Sequence, residues 1–514
     1  MSDTRARRLA AAGIVLLGLV VTAVVAPPVS AGSSGPGGIA GPAEVEPVDL
    51  PGNRPGTGQI YNGLEEADSG RCVGGFAVGG EETCTHGPDA PLPGLTMADE
   101  VPASADATLA AAAAVCTGDG TSGPRVEVLY VHAPGNDRYA QYAASIAQWA
   151  VGVDTIYDES AKETGGRRHV RFVHGADCVP AVTDVEISSA ALSNISQMIS
   201  ALRGQGFNRT DRKYLIFGDA GVYCGIGEFA GDTRKSASNR SNSGPSFARV
   251  DRSCWAPGPA AHELGHTLGA VNNNAPNSSL GGHCTDEWDV MCYSDSPYYP
   301  AMRTICADRA HDDRLDCGHD DYYHTAPAAG TYLAGNWNVA DSVFLVSEDA
   351  PPPTTTPPPP PSTTSTSTTT TSTTTTSTTA PPPSTTATTV TPPTTAGPTT
   401  TTTTPPPPPP PATCDGYSLR YTGSFTAPGS QVQPGGRFYL ARSGLHAACL
   451  DGPTGANFDL RLQKFSGWRW LTVAEATGPN ADAELTYTGT MGLYRLVVED
   501  VSGAGDYTLG VRRP

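Results

Sequence analysis

The sequence reads as an α/β domain on a twisted mixed sheet, followed by a separate all-β sandwich. Three observations carry that reading. Between residues 114 and 349, β-branched runs alternate with amphipathic helical stretches, the pattern of a sheet backed by helices. Residues 350–412 are almost wholly Thr, Pro and Ser, a composition that cannot build a core and makes an extended spacer. Beyond it, residues 413–514 alternate apolar and polar positions in short runs separated by glycine-rich turns.

The N-terminus comes first in order. Arg5, Arg7 and Arg8 precede an apolar run, and Val29-Ser30-Ala31 ends it with small residues, so residues 1–31 read as a secretory signal peptide. No later segment is long and apolar enough to span a membrane. Residues 32–113 are rich in Gly, Pro and acidic side chains with little periodicity, and are expected to be a largely irregular leader or prosegment. The formal net charge of -19 argues against a nucleic-acid partner and suits a secreted, extracellular protein. Twelve cysteines, an even number, favour disulfides in an exported chain, with Cys414 expected to pair with Cys449.

Within 114–349, "RVEVLYVHA" (125–133) is expected to be a strand, and Asp137 to cap a helix bearing Tyr142, Ile146, Trp149, Val153, Ile156 and Tyr157 on one face. "HVRFVHG" (169–175) reads as a second strand. Ser188 or Ser189 should open a second helix with Leu192, Ile195, Ile199 and Leu202 at helical spacing. "KYLIFGDAG" (213–221) is a third strand and "SFARVD" (246–251) an edge strand. The last domain shows alternation at Phe458, Leu460 and Leu462, at Tyr494, Leu496 and Val498, and at Tyr507, Leu509 and Val511.

The chemistry concentrates in "HELGHTLGAVN" (262–272). Pro257 and Pro259 sit where a helix starts, and Ala261, Leu264, Gly265 and Leu268 form its core-facing stripe. His262 and His266 then lie one turn apart, so both imidazoles can reach one zinc ion from the same side. Glu263 is placed to take a proton from a water activated by that metal. Gly269 permits a sharp exit from the helix.

"HELGHTLG" followed by "DVMCY" (289–293) resembles the metzincin clan of zinc endopeptidases. The resemblance covers roughly 114–347. It implies a metzincin-like catalytic domain with an active-site helix, one catalytic Zn2+, and a protein or peptide substrate. It implies that Met291 forms the floor below the metal and that Tyr293 helps stabilise the oxyanion. By the same analogy Cys72 could occupy the zinc of a latent form, although a Cys72–Cys84 disulfide is the simpler expectation. The last domain resembles the β-sandwich that follows the catalytic unit of many secreted bacterial peptidases, which implies cell-wall or polymer contact.

The departure is Asn272, where the family pattern supplies a third ligand and an amide oxygen is a weaker partner than imidazole or carboxylate. The replacement is expected from His283, which Gly281 and Gly282 let fold back under the helix; Asn272 itself, Asp286 and Asp289 are the alternatives. Asp289 is also placed to bond a ligand histidine and fix its tautomer. "HDDRLDCGHDDYYH" (311–324) is a candidate Ca2+ site that lacks EF-hand spacing. Two functions follow from this reading. One is a secreted zinc endopeptidase; the other is a catalytically inactive, protease-like surface or extracellular binding protein.

Overall fold

A computed structural model describes residues 49–348 and 414–514, apart from 68–69, 80–82, 92–95, 104–113, 296–298, 415, 437, 442–443, 467–468 and 491. The signal peptide expected over 1–31 and the spacer over 350–412 lie outside the described residues.

In chain order the elements of the first domain are β1 (Leu64–Glu66), β2 (Phe76–Val78), β3 (Cys84–Thr85), β4 (Arg125–His132), α1 (Tyr139–Glu163), β5 (His169–Val170) and β6 (Val182–Glu186). There follow α2 (Ser189–Leu192), α3 (Ile195–Gly204), β7 (Arg212–Gly218), β8 (Gly225–Phe229), β9 (Ser246–Asp251) and α4 (Pro257–Leu268). Short elements close the domain: β10 (Asp286–Glu287), β11 (Arg303–Thr304), α5 (Tyr332–Gly335) and β12 (Leu345–Val346).

The principal sheet has the order β1-β2-β3-β8-β9-β7-β4-β6. Strands β6, β4, β7 and β9 are parallel, whereas β8 runs antiparallel to β9 and β3 antiparallel to β8, so the sheet is mixed. Alternation along β4 sends Val126, Val128 and Tyr130 to the side of α1 and α4, and Leu129 and Val131 to the side of α3. Both faces are therefore covered, and β4, β7 and β9 are buried along almost their whole length, polar residues included.

Several elements differ from the sequence expectation. Of 169–175 only His169–Val170 is a strand, and it pairs with β12; the sheet position beside β4 is filled by β6 instead. The run from Leu192 to Leu202 is two helices, because Asn194 turns extended and caps α3 by accepting from the Gln197 amide. Asp137 accepts from the Tyr139 amide, but the residue before α1 is Arg138, with no side-chain cap. β9 is interior, not an edge, because "GIGEF" forms β8 outside it. The leader, expected to be largely irregular, supplies β1, β2 and β3 to the same sheet.

All twelve cysteines are paired: Cys72–Cys84, Cys116–Cys178, Cys224–Cys254, Cys284–Cys292, Cys306–Cys317 and Cys414–Cys449. That usage fits an extracellular protein. Among the described residues no helix is long and apolar enough to cross a membrane.

The last domain has a sheet of β13 (Leu419–Phe425), β21 (Gly505–Arg512), β16 (Gly444–Asp451) and β19 (Ala483–Gly489). A second is formed by β14 (Gly429–Gln433), β20 (Gly492–Ser502), β17 (Asn457–Ser466) and β18 (Arg469–Ala476), with β15 (Tyr439–Ala441) also on β20. Phe458, Leu460, Leu496, Val498, Tyr507, Leu509 and Val511 fill the core between them.

Candidate metal centre

Helix α4 begins after extended Ala256, with proline in its first turn, and ends where Gly269 takes a left-handed conformation at φ 98°. The Ala270 amide bonds to the Gly265 carbonyl at 3.0 Å and the Gly269 amide to the His266 carbonyl at 3.0 Å, the two bonds of a Schellman turn. That turn brings the Ala270 carbonyl within 2.9 Å of His266 Nδ1. Helix exit and ligand orientation are thus one local structure.

The chain then loops from 271 to 283 and returns. Gly282, at φ 99°, makes the reversal that places His283 under α4. The Cys284–Cys292 disulfide and a 3.2 Å bond from the Cys284 amide to the Met291 carbonyl tie this loop to the methionine turn. Asp289 builds the turn by accepting from the Met291 amide at 2.6 Å. The Val290 carbonyl is thereby held 2.8 Å from His262 Nδ1. Met291 is fully buried, with its Sδ only 2.8 Å from where a Cβ on Gly265 would lie. Residue 265 must be glycine for methionine to lie so close beneath the helix.

His262, His266 and His283 are all buried, and their Nε2 atoms converge: 3.0 Å from His266 to His262 and 3.2 Å from His283 to His262. For His262 and His266 the Nδ1 faces a carbonyl, which only accepts, so Nδ1 carries the proton and Nε2 is bare. His283 Nδ1 lies 2.6 Å from Asp295 Oδ2, an arrangement of the same sense. Burial lowers the pKa of His262 to about 4 and that of His266 well below the usual imidazole value, so both are neutral near pH 7. Bare lone pairs packed face to face repel one another unless a cation lies between them. Two nitrogens on one tetrahedral zinc stand about 3.3 Å apart, close to the spacing seen here. The donor set therefore fits a zinc ion.

Glu263 is fully buried, with Oε2 3.4 Å from His86 Nε2 and its carboxyl hydrogen-bonded to that of Asp89. It reaches the centre because β8 carries glycine: a Cβ on Gly225 would lie 1.9 Å from Glu263 Oε1. Burial, and then the adjacent Asp89, push its pKa well up. The Tyr293 ring lies beside His283 at 4.0 Å between centroids, and its hydroxyl bonds Asp89.

Among the alternatives for the third ligand, Asn272 turns away and donates to the Gly269 carbonyl at 3.3 Å. Asp286 is buried beside Asp321 and accepts from Asn277. Asp289 accepts from the Met291 and Cys317 amides and the Tyr322 hydroxyl, so the carboxylate on a histidine of this centre is Asp295. In the 311–324 stretch Asp316 is fully buried and accepts from the backbone amides of Asp320, Asp321, Tyr322 and Tyr323. This pattern pins the loop by itself.

Three members of the site escaped the sequence reading: Asp295, His86 and Asp89. His86 stacks on His266 with centroids 4.0 Å apart, and His86, His262, His266 and His283 each offer a nitrogen within 4.8 Å of the others. Asp89 Oδ2 lies 3.7 Å from His262 Nε2. One signal was available, since His86 is the only histidine before His132.

No family model matches the chain. Among solved structures it is similar to the pre-peptidase C-terminal domain of a collagenase from Bacillus anthracis, at 18% identity over 18% of this chain and 88% of that one, TM-score 0.16. It is also similar to OgpA from Akkermansia muciniphila, at 8% identity over 76% of this chain and 88% of that one, TM-score 0.23. Catalytically inactive OgpA in complex with an O-glycopeptide substrate matches at 9% identity over 81% of this chain and 100% of that one, TM-score 0.22. Likenesses at these scores establish neither fold nor activity.

Proposed function

We propose that this chain is a secreted zinc-dependent endopeptidase of the metzincin type, with His262, His266 and His283 holding the metal. The observation that carries the reading is the convergence of three Nε2 atoms, two of them bare because Nδ1 faces a carbonyl and the third backed by Asp295. A bound zinc ion would supply Lewis acidity toward a peptide carbonyl and make a nearby water more acidic.

The chain's own groups do the rest. Glu263, whose pKa burial and the adjacent Asp89 hold up in the chain as it stands, would ionise with a cation at the centre, then take a proton from the attacking water and return it to the leaving amine. Burial, first of all, raises the pKa of the Tyr293 hydroxyl, which keeps it protonated and able to donate to the developing oxyanion. Met291 supports the helix from below. Every residue of the centre lies in the first domain, leaving the C-terminal sandwich for contact with a substrate or polymer.

The test is hydrolysis of an unfolded protein by chains with and without Glu263→Gln, with zinc per chain measured in parallel. Both are assayed intact and in a His86→Ala background, because His86 stands against Glu263 and His266. Glu263→Gln should keep its zinc and lose roughly a hundredfold or more in rate. Equal rates would rule out Glu263 as the proton carrier.

A further inference from the structure

The centre contains more than a hydrolytic site needs. Its fourth imidazole, His86, belongs to the segment "CTHGPD" (84–89), some 170 residues upstream of α4. This segment lies along β8 as an added strand. Cys84 pairs with Phe229 and Thr85 with Glu228, and the Asp89 amide donates to the Gly225 carbonyl at 2.9 Å. The strand is fixed at its start by the Cys72–Cys84 disulfide. The turn before β2 is held by Arg71 Nη1 on the Ala230 carbonyl at 2.8 Å and by Asn273 Nδ2 on the Val73 carbonyl at 3.0 Å.

His86 and Asp89 contact every group the proposed reaction uses. His86 stacks on His266 and its Nε2 faces Glu263. Asp89 accepts from the Tyr293 hydroxyl and is hydrogen-bonded to Glu263, and its Oδ2 lies 3.7 Å from His262 Nε2. Both side chains are buried. A substrate strand needs the backbone edge of β8, an open position on the metal, the carboxylate and the phenol together. Here one hexapeptide of the same chain covers the edge of β8, reaches the carboxylate and the phenol, and brings a fourth imidazole nitrogen within 4.8 Å of the other three.

We propose that residues 84–89 are an internal occupant of the metal cleft. His86 supplies a fourth nitrogen to the metal, Asp89 engages Glu263 and Tyr293, and the chain is latent until this strand leaves. The proposal rests on the metal-centre reading above and adds its regulation. It also places the latency function on a histidine and an aspartate and frees Cys72, which is committed to its disulfide.

The test loads the full chain with cobalt(II) and follows its visible absorption while acetohydroxamate, a small bidentate metal ligand, is added. Wild type is compared with His86→Ala and with His86→Gln, which retains side-chain bulk should the alanine chain misfold. The variants should bind acetohydroxamate at least roughly tenfold more tightly, because the wild-type cleft is open only a fraction of the time. Their hydrolysis of an unfolded protein should rise by a similar factor. Equal acetohydroxamate affinity in all three chains would overturn the internal occupant and leave the metal centre standing. Failure of every chain to take up cobalt would overturn both.

Discussion

Replacing Asp295 with alanine should weaken zinc binding without unfolding the domain. Asp295 Oδ2 lies 2.6 Å from His283 Nδ1 and also accepts from Ser279 Oγ at 3.0 Å. A hydrogen bond to a charged group contributes roughly 1.5–3 kcal/mol. Loss of such a partner behind a ligand histidine costs on the order of 10–100-fold in metal affinity. The Asp295→Asn chain keeps an oxygen acceptor and loses only the charge, so it should fall between wild type and alanine. The assay is a zinc titration of metal-stripped protein against a chromophoric chelator, with the thermal midpoint of the loaded chain measured alongside. Asp289→Ala is the contrast. Asp289 touches no histidine of the centre, yet it satisfies the Met291 and Cys317 amides and the Tyr322 hydroxyl. Each of these left unpaired in the core costs about 1–3 kcal/mol, so this variant should lose more stability than Asp295→Ala. Zinc affinity of Asp295→Ala within about twofold of wild type would refute the reasoning, since it would mean that His283 needs no carboxylate behind it.

Two further outcomes follow from packing and from charge burial. Gly265→Ala would put a Cβ 2.8 Å from Met291 Sδ in a fully buried setting. Overpacking of about 1–3 kcal/mol should outweigh the helix-propensity gain of about 1 kcal/mol, so the thermal midpoint should fall; a rise would show that Met291 moves aside freely. Glu228, buried between Thr83 and the Phe247 amide, has its pKa pushed up to about 7, with burial the leading cause. Between its unfolded value near 4.5 and about 7, the unfolded chain ionises while the folded chain keeps the proton, so stability falls as pH rises. Chemical denaturation at about pH 5 and about pH 7.5 should show that fall in wild type, about 2 kcal/mol, and a smaller one in Glu228→Gln; equal slopes would contradict it.

What could be read from the sequence was what local spacing determines. His262, Glu263 and His266 sit on one helix, and the prolines before it and Gly269 after it mark its ends, so their grouping needs no tertiary information. His283 was accessible for a related reason: paired glycines beside it allow the return, and a flanking cysteine can staple it. Asp295 was not, because its meeting with His283 depends on how the chain closes over a separation of 12 residues, and Asp289 looked equally well placed. β8 was missed because glycine normally argues against a strand; here Gly225 and Gly227 lack side chains to admit Glu263. The leader strands are two or three residues long, too short to show alternation, and they form by pairing with the sheet. His86 and Asp89 carry no motif at all. Their place at the centre exists only because β3 is added to β8.

The central claim is that the metal site is complete, with His283 in the place that Asn272 leaves open. Zinc affinity of the metal-stripped full chain, measured for wild type, His283→Ala and Asn272→Ala, tests it most directly. We expect His283→Ala to lose roughly a hundredfold or more and Asn272→Ala to stay within about threefold of wild type. The reverse pattern would return the third ligand to Asn272 and contradict the account.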